Sequence, residues 1–95
     1  MRFLFLLIST LFIGNLIAQN YITSKNAPEK IKESFKVAFS DFNSGNYDKS
    51  VKELEKIIKK QPNFINAYHL MADCYIQQKN WNKAVEYLNL SAELA

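Results

Sequence analysis

Cysteine and histidine occur once each, as Cys74 and His69. A lone thiol cannot staple the chain to itself, so the core must come from packing. One His and one Cys also fall short of the three or four ligands a metal site needs; His69 and Asp73, one helical turn apart, could share an ion, but nothing else joins them. No glycine-rich phosphate loop, no Ser–His–Asp set and no pair of carboxylates on a shared face is present. His69 and Cys74 lie five residues apart on one helix, where their side chains diverge. The expectation is a chain that is not an enzyme and carries no cofactor. Glycine and proline number two each, so each one marks a definite break.

No apolar run is long enough for a comfortable membrane span, which takes ~20 residues. The longest runs from Phe3 to Ile13, behind the single positive charge of Arg2. A polar break at Gly14 and Asn15 follows, then "LIAQ" with the small Ala18. This is the layout of a secretory signal of bacterial type over residues 1–18, cut after Ala18. An uncleaved membrane anchor and a buried helix are the alternatives. No Cys lies near the break, which argues against lipoprotein processing. The expected location is therefore the periplasm or cell envelope. Residues 19–95 remain, enough for one small domain. Eleven lysines against nine acidic residues leave that part at +2, a poor argument for nucleic acid.

What the chain does have is a repeat. Shifted by 34 residues, Pro28 falls on Pro62, Asn46 on Asn80, Tyr47 on Trp81, Lys49 on Lys83, Val51 on Val85 and Leu54 on Leu88. Val37 falls on Met71, and small residues coincide as well: Ala38 with Ala72, Ser50 with Ala84. The offset holds without a gap.

Each unit reads as two helices. Ile31, Phe35, Ala38, Phe39 and Phe42 recur at helical spacing. Gly45 ends that helix and Asn46 is placed to cap the next. The second helix sets Tyr47, Val51, Leu54, Ile57 and Ile58 on one side. Lysines interleaved with Glu53 and Glu55 form a solvated face on the other. Pro62 closes it, and Asn63 is placed to cap the third. Ala67, Leu70, Met71, Cys74 and Tyr75 are the apolar side of the third helix. Asn80 caps the fourth, expected to bury Trp81, Ala84, Val85 and Leu88. At the start, Asn26 with Glu29 resembles a capping box, with Pro28 in the first turn. One such pair cannot bury its stripe alone, whereas two stacked pairs can. The small residues let the helices of a pair approach closely.

These residues resemble the tetratricopeptide repeat family. In residues 65–95 the matching positions are Tyr68, Met71, Ala72, Tyr75, Ala84, Leu88 and Ser91. In residues 31–64, Val37, Ala38, Gly45, Tyr47, Leu54 and Pro62 fit. Ser34, Asp41 and Ile57 depart from the pattern, standing where the family has an aromatic, a Tyr and an Ala. The resemblance implies an all-α fold of two helix-turn-helix repeats, an α-solenoid, over residues 31–64 and 65–95, preceded by a leader of residues 19–30. It also implies a concave groove lined by first helices that binds a peptide or protein partner. The groove positions are Lys32, Phe35, Phe39, Phe42 and Asn43 from the first repeat, and Asn66, His69, Asp73, Ile76 and Gln77 from the second. It lacks the Lys/Arg clamp that family members use for chaperone C-terminal carboxylates.

Blander readings stand beside these. The Phe35–Phe39–Phe42 stripe can simply pack within the first hairpin or against the leader. Tyr47 and Trp81 read as core. The sequon-like "NLS" at Asn89 sits within a helix. The amphipathic "LNLSAELA" has no stop signal, so self-association through the last helix is one expectation. A fragment of a larger outer-membrane or peptidoglycan-associated protein, with these repeats as its N-terminal spacer, is another.

Overall fold

The computed structural model describes residues 21–95. The expected signal segment lies outside the described residues. Four α-helices follow one another: α1 (Glu29–Asn43), α2 (Tyr47–Lys60), α3 (Ile65–Gln77) and α4 (Trp81–Leu94). Among the described residues the sole extended pairing is an isolated parallel bridge between Ile22 and Phe64. The fold is an all-α helical repeat.

The two hairpins turn in the same way, and the backbone shows why. Gly45, at φ 82°, donates its N–H to the Phe42 carbonyl, and Asn46 donates to Asp41. That pair of bonds is a Schellman motif, which satisfies carbonyls the helix end would otherwise leave open. Thirty-four residues on, Lys79 sits at φ 60°, donates to Ile76, and Asn80 donates to Tyr75. The second turn thus repeats the first with a lysine where the first has its glycine.

Close approach within each hairpin comes from the small residues. Ala38, Ser50 and Ala72 are fully buried and Ala84 nearly so. The α1–α2 and α3–α4 pairs pack along their lengths, and α2 lies against α3. Between them sits one core built on Ile31, Leu54, Ile57, Phe64, Leu70, Met71 and Cys74. Each large apolar side chain so buried contributes ~1.5–3 kcal/mol. Phe64 is the largest of the fully buried side chains, a core position that the helical periodicities do not mark because it lies in the connection between helices.

Three expected helix starts differ in detail. Asn26 does not cap α1: its Oδ1 accepts the Thr23 N–H at 2.8 Å, closing a turn, and Pro28 stands at the N-cap. Asn63 does not cap α3, whose N-cap is Phe64. Asn46 is at the N-cap of α2, but its side chain makes no capping hydrogen bond. Asn80 does cap α4, accepting the Lys83 N–H at 3.3 Å.

The larger correction concerns α4. It buries Ala84 and Ser91, while Trp81, Val85 and Leu88 are exposed. Their counterparts one repeat earlier differ: Val51 and Leu54 are buried in the core that α2 shares with α3, and Tyr47 is half-buried against Phe42 of α1. Among the described residues no helix follows α4 to share such a core.

Candidate partner-binding groove

The groove residues expected from the sequence come from α1 and α3, the first helices of the two hairpins, and the structure gives them different surroundings. Phe35 is half-buried, its ring edge-on to Phe64 at 5.2 Å. Phe39 stacks on Phe35 at 6.4 Å yet stays 48% exposed. Phe42 turns the other way, meeting Tyr47 of α2 edge-on at 5.5 Å, so it serves the hairpin's own packing. Phe35, Phe39 and Asn43 line an open depression of about 450 Å³, together with Lys36, Ser40 and Ser44.

On α3, His69, Asp73 and Gln77 are exposed, and Ile76 is half-buried, as is Lys32 on α1. Asn66 is already engaged: its Oδ1 accepts the Ser24 N–H at 3.1 Å. Ser24 belongs to the leader, which is fastened to the start of α3 rather than trailing. Ile22 donates to the Asn63 carbonyl at 2.9 Å and accepts the Ile65 N–H at 3.1 Å. That last bond satisfies one of the donors that a helix start leaves open, in place of the side-chain cap that α3 lacks. Ala27 is buried in the core and Ile22 packs against it. Asn66 is thus occupied by the leader, while Phe35, Phe39 and Asn43 line one depression.

Lys36, Ser40 and Ser44 were not singled out from the sequence, although they continue the four-residue spacing of Lys32 one position along from the aromatic stripe. The leader contacts had no local signal, since Ser24 and Asn66 are 42 positions apart.

Away from this face, Cys74 is fully buried. Burial pushes its thiol above the ordinary value, with the Asp73 charge adding to it and the neighbouring Ser50 opposing it. Tyr75 stacks on Tyr87 at 5.7 Å and Tyr68 lies 6.4 Å from Tyr87, joining α3 to α4. Burial raises all three phenols, with Glu55 and Glu86 adding to it for Tyr75 and Tyr87. Among the described residues no helix is long and apolar enough to cross a membrane.

No curated protein and no solved structure matches the chain. The family model described as tetratricopeptide repeat matches residues 42–94, more than half of the sequence. That span takes in the end of α1 and all of α2, α3 and α4. With two helix hairpins in 34-residue register, each turning through the same Schellman motif, the chain belongs to the tetratricopeptide repeat family, whose repeats serve as protein–protein interaction modules.

Proposed function

We propose that this protein is an exported, non-catalytic adaptor that holds a peptide or protein segment on the face of α1 and α3. The observation that carries this reading is the exposed Phe39 beside Phe35, at the edge of a depression with polar walls. Half-exposed aromatic rings hold an apolar anchor residue well, because they offer large area at low conformational cost. Asn43, Ser40 and Ser44 supply hydrogen-bonding groups around that anchor. The exposed His69, Asp73 and Gln77 of α3 form the polar continuation. The leader holds Asn66, so the ligand lies toward the Asn43 and Gln77 end. Export rests on the charge, apolar run and small residue of residues 1–18.

The test is selection of displayed peptides against the full chain, followed by titration of a selected peptide. Phe39→Ala is expected to weaken binding at least tenfold, about 1.4 kcal/mol, with helicity unchanged. Selected peptides that bind the Phe39→Ala chain equally well would sink the groove. Export is checked by the mass of the chain recovered from a bacterial envelope fraction: loss of residues 1–18 supports it, and retention in the cytosol rejects it.

A further inference from the structure

The exposed side of α4 is a single narrow stripe. Trp81, Val85, Leu88 and Ala92 follow one another at four, three and four residues, the spacing of a helix–helix seam. The first three are 59%, 55% and 45% exposed, and Ala92 is exposed too. The repeat itself shows what such a stripe packs against. Val51 and Leu54 hold the same places on α2 and are buried in the core that α2 shares with α3, while Tyr47, in the place of Trp81, is half-buried beside Phe42 of α1.

Charge and size decide which helix fits. Along the stripe, the flanking positions are Asn82 and Asn89 on one side and the buried Ala84 and Ser91 on the other. Lys83, Glu86 and Glu93 lie about 100° or more around the helix from the stripe's centre. Lys83 and Glu86 are paired with each other at 3.8 Å. An identical stripe therefore meets no like charge. The stripe is also tapered, with Trp81 at one end and Ala92 at the other. Antiparallel pairing sets the large residue against the small one, whereas parallel pairing sets Trp81 against Trp81 and leaves a gap at Ala92.

We propose that α4 pairs antiparallel with α4 of a second copy of this chain, Trp81 against the second copy's Ala92 and Val85 against its Leu88. The contact is closed and isologous, so it stops at a dimer. It is small, below the ~1,200 Å² of standard interfaces, so the dimer is weak and concentration-dependent. It uses neither Phe39 nor the depression beside it, and its test is separate from that of the groove.

Sedimentation equilibrium of the full chain reads the outcome. The wild type is expected to move reversibly from monomer to dimer mass with concentration. Val85→Lys, or Leu88→Lys where the first fails to fold, is expected to weaken association at least tenfold with helicity retained. Val37→Lys, at an equally exposed apolar position on α1, is expected to leave it unchanged. A wild type still monomeric at about 1 mM overturns the proposal, as does association that survives both lysine variants of α4. Orientation is read in a Cys74→Ala background. Oxidising a mixture of Val85→Cys and Leu88→Cys chains should give the mixed disulfide, and products joining only like chains would reject the antiparallel pairing.

Discussion

The Ser50 hydroxyl donates to the Ala38 carbonyl at 2.8 Å, across the first hairpin and with both residues fully buried. This one side chain ties α1 to α2. The second hairpin has Ala84 in the same place, which shows that an alanine fills the space. Ser50→Ala should therefore cost only the hydrogen bond, about 1 kcal/mol. Ser50→Leu should cost at least ~3 kcal/mol or prevent folding, since there is no room between fully buried neighbours. Urea unfolding followed by circular dichroism checks both. A Ser50→Leu chain as stable as the wild type would show that the hairpin is not closed as described.

The two turns make a matched pair for a second prediction. Gly45 and Lys79 share a left-handed backbone, and a Cβ added at Gly45 meets nothing within 4 Å. Only backbone conformation separates glycine from other residues there. Gly45→Ala is expected to destabilise by about 1 kcal/mol, and Lys79→Gly to stabilise by ~0.5–1 kcal/mol. Opposite signs in the two unfolding midpoints are the result to look for. A loss of stability in Lys79→Gly would contradict the account.

Much of this arrangement could be read directly from the residues. A 34-residue offset, helical spacing and the paired small residues gave the number of helices, their hairpin pairing and the close contacts at Ala38, Ser50, Ala72 and Ala84. The misreadings have a common cause. Trp81, Val85 and Leu88 carry the same apolar pattern as Tyr47, Val51 and Leu54, but burial depends on the next helix and not on the pattern itself. Likewise Asn26 and Asn63 are good capping residues by type, yet Asn26 closes a turn with Thr23, and at the start of α3 the leader supplies the Ile22 carbonyl in place of a side-chain cap. Phe35, Phe39 and Phe42 form one stripe in the sequence. The structure divides it, because Phe64 and Tyr47 each claim one ring and leave Phe39 open.

Alkali should destabilise the protein, and the sign follows from burial. The Cys74 thiol is raised above its ordinary 9.0 and the phenols of Tyr68, Tyr75 and Tyr87 above 10.0. In the unfolded chain these groups lose protons at their ordinary values, while the folded chain still holds them. The unfolded state then binds fewer protons, so stability is constant below about pH 8.5 and falls as pH rises. Cys74→Ala should remove the part of the fall that begins near pH 9, leaving the part due to the tyrosines. The measurement is the urea midpoint from pH 7 to 10.5 in both chains. Identical curves above pH 8.5 would show that the thiol contributes nothing.

The leader should behave as part of the folded body. Its fastening depends on Ile22, whose N–H reaches Asn63 and whose carbonyl receives the Ile65 N–H, and on Asn66, which receives the Ser24 N–H. Asn66→Ala removes a part-exposed acceptor and should cost about 0.5–1 kcal/mol. Ile22→Pro deletes a donor and an apolar contact together, and should release residues 21–26 while leaving the four helices formed. Hydrogen exchange separates local release from general loss of stability. The Ile65 amide should exchange much faster in the Ile22→Pro chain, because its acceptor has left, whereas the Leu54 amide within α2 should follow only the change in global stability. If the Ile65 amide keeps its protection, the leader is not what holds the start of α3. A further consequence concerns the groove. Freeing Asn66 extends the polar wall of α3, so a peptide selected against the wild type should bind the Ile22→Pro chain at least as tightly, and weaker binding would mean that the leader forms part of the site.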